Sequence, residues 1–313
     1  MDSLAVVLKE PKSIDLDRLI LSPMGDEDVV VDVDWSGIST GTERLLWSGG
    51  MPPFPGMGYP LVPGYESVGR IVARGARADA RVGQRVFVPG ARCFGEIRGL
   101  FGGAASRLVV PQSRAHAIDE SLAERGVLLA LAATARHAMA APGAHRPDLI
   151  VGHGVLGRLL ARLACVDDAA PPTVWETDPA RRAGASGYSV VDPADDPRRD
   201  YRAIYDVSGD SALLDSLIAR LAPGGEIVLA GFYAAPVSFA FPPAFMREAR
   251  LRVAAEWRPD DLAAVRTLVA EGRLSLDGLI THIEPAGRAR DAYRTAFAES
   301  SCLKMILDWR DHR

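Results

Sequence analysis

Three glycines stand in the pattern G-x-G-x-x-G, as Gly152-His153-Gly154-Val155-Leu156-Gly157. Such a turn can hold a pyrophosphate. The first glycine makes the tight turn and the second lets the backbone approach the phosphates. The third lets helix and strand pack closely, with the phosphates facing the positive helix N-terminus. Alone, the pattern is weak. Here a strand-like Leu149-Ile150-Val151 precedes it, a helical stretch at 156–164 follows, and Glu176 closes the next strand about 20 residues on, where a carboxylate would accept from ribose hydroxyls. A carboxylate there repels a 2′-phosphate, so the pattern favours NAD over NADP. Arg181 and Arg182 are near enough in sequence to soften that preference, although a solvated helix face suits them better. Two rivals use the same residues: a turn that only tightens a βα unit, and the nucleotide loop of a methyltransferase.

These residues need an α/β frame to position them. Strand-like segments at 149–151, 173–175, 201–207, 225–231 and 251–257 alternate with helical stretches at 156–164, 180–184, 212–221 and 259–272. Strands joined through helices give a parallel sheet covered on both faces. The first third differs, with short β-branched segments such as 28–34 and 67–72 bounded by Gly, Pro and Asp. Gly and Pro crowd at 49–64, yet this stretch carries Met51, Phe54, Met57, Tyr59 and Leu61, which marks an ordered loop and not a linker. An alanine- and leucine-rich helical run occupies 121–141, and the tail holds a strand-like 303–307. The expected organisation is an α/β domain at 120–272 inserted into a β-rich domain made of 1–119 and 273–313.

Composition narrows the function classes. At 313 residues there is room for two cores. A net charge of -4 supplies no basic field for nucleic acid and no polybasic membrane patch. No apolar run approaches the roughly 20 residues that span a bilayer, so no membrane insertion is expected. The N-terminus runs straight into a strand-like pattern and lacks the layout of a signal peptide. Cys93, Cys165 and Cys302 are odd in number and far apart, which argues against a disulfide framework and a cysteine-built zinc site. The expectation is a cytoplasmic protein of enzyme size.

Over nearly its whole length the chain resembles the medium-chain dehydrogenase/reductase superfamily. The motifs are Asp32-Val33-Asp34-Trp35-Ser36-Gly37-Ile38-Ser39 entering a first catalytic loop, and Pro63-Gly64-Tyr65-Glu66-Ser67-Val68-Gly69-Arg70-Ile71-Val72 against P-G-H-E-x-x-G-x-V. Val82-Gly83-Gln84-Arg85-Val86 matches the G-D-R-V turn, and Gly102-Gly103-Ala104-Ala105-Ser106 begins a strand like G-G-x-A-E-Y. The resemblance implies an α/β fold, with a Rossmann-type doubly wound parallel sheet inserted in a β-rich GroES-like catalytic domain. It also adds cofactor contacts at Thr134, Val207, Ser208, Gly231 and Phe232, and at Lys304, where the family has a basic residue on the pyrophosphate. A surface lysine on the last strand is the other reading of Lys304. More narrowly, the segment 36–69 resembles the bacteriochlorophyllide a dehydrogenases of photosynthetic bacteria, carried by Ile38-Ser39-Thr40-Gly41-Thr42-Glu43-Arg44-Leu45-Leu46-Trp47 and Met51-Pro52-Pro53-Phe54-Pro55-Gly56-Met57-Gly58-Tyr59-Pro60. That resemblance implies oxidation of a hydroxyethyl side chain on a bacteriochlorophyllide-type ring to acetyl, with NAD as hydride acceptor.

Zinc-dependent members of the superfamily use a Cys in the first loop, the His of G-H-E and a later Cys. This chain has Ser39 or Thr40, then Tyr65, then Ala130-Leu131-Ala132-Ala133. A catalytic zinc takes three protein ligands, so no zinc is expected. A secondary alcohol must then lose its proton to another group. Glu66 is the leading general base, its pKa raised by desolvation beside an apolar mouth. An equal alternative is that Glu66 salt-bridges an arginine and shapes the loop. Tyr65 could polarise the oxygen or pack on the cofactor, and Thr40 and Thr42 could relay a proton or cap a turn. His137, in a helix like the family's T-x-x-H-A, is a further acid/base candidate and otherwise a packing residue. His153 is expected to border the phosphates.

Trp47, Phe54, Met57 and Tyr59, with Phe94, Phe101 and Trp257, suit a flat aromatic macrocycle. The same residues would also suit a domain seam or a homodimer contact. Three further readings stay open. One is a zinc-free quinone or enoyl reductase using NADPH, another a non-catalytic pigment carrier, and the last the methyltransferase.

Overall fold

The computed structural model describes residues 1–166 and 170–312. The chain divides into two compact units, one formed by Met1–Ala130 with the chain from Leu279 onward and the other by Leu131–Gly278. The changeovers thus fall later than positions 120 and 273. The segment Glu120–Leu128 does not open a helix but winds as 3-10 turns, interrupted at Ala123 (φ 43°). Gly126 brings it against the first unit: a Cβ there would lie 2.8 Å from Val68.

Runs of Val, Leu and Ile bounded by Gly, Pro and Asp build the early strands. They are β1 (Asp2–Glu10), β2 (Ser13–Ile20) and β3 (Asp28–Ile38), followed by α1 (Thr42–Ser48). Next come β4 (Leu61–Val62), β5 (Ser67–Arg74), β6 (Arg85–Val88), β7 (Arg98–Gly99), β8 (Arg107–Pro111) and β9 (His116–Ala117). One sheet runs β2-β1-β4-β7. The long strand β3 anchors the other, pairing antiparallel with both β5 and β8. Val29, Val30, Val31 and Val33 of β3 are wholly buried, and burial of each such side chain contributes about 1.5–3 kcal/mol.

The second unit begins within α2 (Leu129–Met139) and continues through β10 (Leu149–Val151), α3 (Val155–Ala164), β11 (Thr173–Trp175), β12 (Ser189–Val191) and β13 (Tyr201–Asp206). After these come α4 (Leu214–Ile218), β14 (Leu221–Leu229), α5 (Phe241–Met246), β15 (Arg250–Val253) and α6 (Pro259–Ala270). The sheet order is β12-β11-β10-β13-β14-β15, every pair parallel. Counted from β10, this is the order 3-2-1-4-5-6 of dinucleotide-binding sheets. β12 is not among the expected strands. The helix expected at 180–184 is only the 3-10 turn Pro179–Arg181.

The chain then returns to the first unit as β16 (His282–Pro285), α7 (Ala289–Ala298) and β17 (Met305–Asp308). β17 joins β3 antiparallel, setting Ile306 opposite Gly37 and Met305 opposite Ile38. The last strand is thereby laid beside the end of β3, where the first catalytic loop begins. Among the described residues no helix is long and apolar enough to cross a membrane.

Candidate active site

Polar side chains from four segments meet inside the first unit, beyond the end of β3. Tyr65 and Glu66 lead into β5, and neighbours on extended backbone point to opposite sides. Tyr65 donates its hydroxyl hydrogen to Ser39 Oγ at 2.6 Å, and Thr42 also bonds this hydroxyl. Glu66 points inward. Its Oε2 accepts from Lys304 Nζ at 2.7 Å, and the same ammonium donates to the Ile38 carbonyl at 3.2 Å. Both are enclosed, Glu66 at 0% exposure and Lys304 at 2%. Gly37 makes room, since a Cβ there would lie 2.1 Å from Glu66 Oε2. Glu66 Oε1 has no hydrogen-bond partner.

A second buried carboxylate lies alongside. Glu43, in the first turn of α1, accepts from the Ser39 N–H at 2.9 Å and from the Tyr293 hydroxyl of α7 at 2.5 Å. Burial pushes its pKa up to about 7, opposed by the Tyr293 and Ser39 hydrogen bonds and reinforced by the charge of Glu66. Burial likewise raises Glu66, while the Lys304 ammonium pulls it down. The Tyr65 phenol is lifted by burial and then by the Glu66 charge, so it stays protonated.

Several expectations need correction. Lys304 is no surface lysine: its ammonium is buried and bonded to Glu66 Oε2 and the Ile38 carbonyl. Glu66 is not a base at an apolar mouth. It lies in the interior, ion-paired to a lysine and not to the anticipated arginine. Thr40 is exposed, whereas Thr42 joins Tyr65. His137 belongs to the second unit, where its Nδ1 lies 2.7 Å from Asp261, whose carboxylate also takes Arg136 at 2.6 Å and caps the start of α6. That pairing staples α2 to α6.

The aromatic set separates as well. Phe101 meets Tyr65 edge to face at 5.4 Å. Phe94 is core, at 4% exposure. Trp47 tilts against Phe297 at 5.6 Å, and Tyr59 donates to the Leu46 carbonyl. Met57 packs on the core of the first unit, and Phe54 is exposed. Trp257 lies half-buried in the second unit. Glu43 and Tyr293 are functional candidates that the sequence did not single out: Thr42-Glu43-Arg44 looks like an ordinary helix start, and its partner lies 250 residues on.

At two of the three zinc positions stand hydroxyls, and the third falls in the apolar Ala130-Leu131-Ala132-Ala133. Among the described residues no group of three His, Cys, Asp or Glu is arranged to hold a metal ion. Ser39 and Tyr65, bonded to each other, lack the thiolate and imidazole donors zinc prefers, so the residues present do not fit that metal.

In the second unit the fingerprint lies between β10 and α3. Gly152 has φ +104°, and a Cβ on Gly157 would fall 1.9 Å from the Gly152 carbonyl oxygen, so helix and strand pack closely only with glycine there. A Cβ on Gly154 would meet nothing within 4 Å. That open space lies at the N-cap of the ten-residue α3, next to Val155 and Leu156. The Glu176 carboxylate is held by the N–H groups of His153 at 3.1 Å and Asp178 at 3.0 Å. Val207, Ser208, Gly231 and Phe232 follow the carboxyl ends of β13 and β14, with Ser208 bonded to Asp206 at 2.7 Å and Phe232 half-exposed. Thr134 is half-buried on α2. The His153 ring does not border the phosphates; it is fully buried, bonded to the Arg181 carbonyl and the Tyr188 hydroxyl. Arg182 is no solvated helix face, for it donates to the carbonyls of Glu176 and Thr177 and pairs with Asp192. An open glycine at a helix N-terminus beside an oriented carboxylate fits a dinucleotide.

Comparison with known proteins gives the family. Residues 25–120 match the alcohol dehydrogenase GroES-like domain. The chain is 60% identical over 312 residues to the 2-desacetyl-2-hydroxyethyl bacteriochlorophyllide A dehydrogenase of Rhodobacter capsulatus, covering 99% of both chains. It is 59% identical over 315 residues to the protein of the same description in Cereibacter sphaeroides, again covering 99% of each. Among solved structures, the 2R,3R-butanediol dehydrogenase of Bacillus subtilis superposes with a TM-score of 0.84 at 21% identity, covering 98% of this chain and 99% of that one. A short chain alcohol dehydrogenase of Escherichia coli complexed with NADH gives 0.83 at 21%, with the same coverage. These two likenesses speak to the fold alone. The identity across essentially the whole length decides the family: the chain is an oxidoreductase of the medium-chain dehydrogenase/reductase superfamily and belongs to the 2-desacetyl-2-hydroxyethyl bacteriochlorophyllide A dehydrogenase family.

Proposed function

We propose that the protein oxidises the hydroxyethyl side chain of a bacteriochlorophyllide to an acetyl group in the cytoplasm, with NAD as hydride acceptor and without zinc. The observation that carries the metal-free part is the Tyr65–Ser39 hydroxyl pair at 2.6 Å, occupying the positions of two zinc ligands. The substrate comes from the named relatives at 59–60% identity. When bound, the nicotinamide supplies the acceptor for the hydride leaving the alcohol carbon. The turn from Gly152 to Gly157 would hold its pyrophosphate, and the pinned Glu176 carboxylate would accept from the ribose hydroxyls and repel a 2′-phosphate.

The chain's own task is the proton. The Tyr65 phenol accepts a hydrogen bond from the alcohol, and it takes that proton only as it passes its own to Ser39 Oγ, which in the same step releases its own hydroxyl proton toward bulk water. Thr42, on the same hydroxyl, gives a second way out. Phe101 edges against the Tyr65 ring and orients it. Glu66 and Lys304 act through position, bracing the segment that carries Tyr65.

The test is anaerobic incubation of the purified protein with NAD and a hydroxyethyl bacteriochlorin, followed by absorption spectra. Converting the group to acetyl extends the ring's conjugation, so a shift of the pigment bands with formation of NADH is expected. Unchanged pigment bands would refute the proposal, and enone reduction with NADPH in parallel samples would favour a reductase.

A further inference from the structure

The crossover from β11 to β12 has the single turn Pro179–Arg181 where a helix was expected, yet Glu176 stands at its start. Two side chains of the fingerprint segment hold it. Arg158, in the first turns of α3, is only 7% exposed. Its Nε donates to the His153 carbonyl at 3.0 Å, and its terminal nitrogen donates to the carbonyls of Arg181 and Ala183, each at 2.9 Å. Gly184 (φ +82°) admits the guanidinium, since a Cβ there would lie 2.6 Å from it. Hydrogen bonds from a charged donor are the strong ones.

His153 completes the grip. Its Nδ1 lies 2.7 Å from the Arg181 carbonyl and its Nε2 lies 2.9 Å from the Tyr188 hydroxyl. A carbonyl only accepts, so Nδ1 carries the proton and Nε2 accepts from Tyr188. Burial lowers the imidazole pKa and keeps that neutral tautomer. The backbone N–H of the same residue donates to Glu176 Oε2. One residue therefore ties the carboxylate at the start of the crossover to the arginine further along it.

We infer that His153 and Arg158 are positioning residues for cofactor selection, fixing the β11–β12 crossover so that Glu176 and Arg181 keep the geometry that separates a ribose 2′-hydroxyl from a 2′-phosphate. The inference rests on Glu176 reading the ribose. The experiment uses the full chain and measures Kd for NAD and for NADP by tryptophan fluorescence, with thermal midpoints alongside, in Glu176→Ala, Arg158→Met, Arg158→Lys and Tyr188→Phe. Arg158→Met should reduce the preference for NAD by at least about tenfold, the scale of one hydrogen bond to a charged group. Arg158→Lys should restore part of it. A bracing role confined to stability would lower the thermal midpoint and leave the ratio of the two constants unchanged. If Glu176→Ala shifts the ratio and folded Arg158→Met does not, the inference is overturned and the ribose reading stands. If Glu176→Ala leaves the ratio unchanged, both fall. Should Arg158→Met not fold, Tyr188→Phe decides: a ratio equal to that of the unsubstituted protein overturns the inference.

Discussion

Replacing Lys304 by Met tests the buried pair most directly. Nζ lies 2.7 Å from Glu66 Oε2, an attraction of about 6 kcal/mol at an effective dielectric constant of 20. Desolvation of each ion costs several kcal/mol, so the intact pair adds little net stability relative to an apolar pair. Removing the lysine alone is different, because Glu66 is wholly enclosed and its Oε1 already lacks a partner. The expected loss is about 3–5 kcal/mol, read as a lower urea midpoint. The loss should depend on pH. Without the ammonium, burial alone acts on Glu66 and its folded pKa rises further above the unfolded value. A carboxyl with a raised folded pKa contributes stability below the unfolded pKa of about 4.3 and loses it as pH rises through the folded value. Lys304→Met should therefore be most damaged at pH 8 and partly recovered at pH 5. Adding Glu66→Met should restore most of the stability and flatten the dependence. A Lys304→Met protein as stable as the parent at pH 8 but weaker in cofactor binding would show that the ammonium serves the pyrophosphate.

Other outcomes follow from the same geometry. Tyr65→Phe should lower turnover about 10²–10⁴-fold with the cofactor Kd unchanged; near-normal turnover would remove the phenol from proton transfer. Glu43, raised from 4.5 to about 7, contributes stability fully present below about pH 4.5 and lost as pH rises through 7, on the order of 3 kcal/mol. Denaturation of Glu43→Gln across that window should show the slope gone, and an unchanged slope would assign it to another group. Gly154→Ala meets open space, so it should change stability by no more than about 1 kcal/mol while weakening dinucleotide binding. Equal binding in the variant would place the pyrophosphate elsewhere.

The second unit was legible because its signals are local. Apolar triplets such as Leu149-Ile150-Val151, a glycine turn and amphipathic helices each lie within a few residues, and β13 and α6 fall close to where periodicity puts them. The crossover after Glu176 was not legible, because its order comes from His153 and Arg158, whose partners lie 23 to 35 residues away. In the first unit a usable signal was missed. Gly37 sits inside the strand β3, and a glycine within a strand often marks a close approach of another group. Here that group is Glu66. Position in a motif suggested a base at Glu66 and a phosphate ligand at Lys304, but their separation of 238 residues hid that each is the other's partner.

Charge accounting in the first unit then constrains how a proton can leave. Around Tyr65 the enclosed groups are one ammonium, Lys304, and two carboxyls, Glu66 and Glu43; the unit's other buried charges, Asp34 and Arg85, pair with each other. Lys304 neutralises Glu66 through a direct contact. Glu43 has hydroxyl and N–H donors but no cation of its own, which is why burial carries it up to about 7. A phenolate at Tyr65 would add a further negative charge beside this set, and both burial and the Glu66 charge oppose it. The phenol therefore cannot store the alcohol's proton by first ionising. It must receive one proton while releasing another, and its hydrogen already points at Ser39 Oγ. Ser39 and Thr42 are thus the exit, and losing either hydroxyl should slow proton release more than it weakens substrate binding.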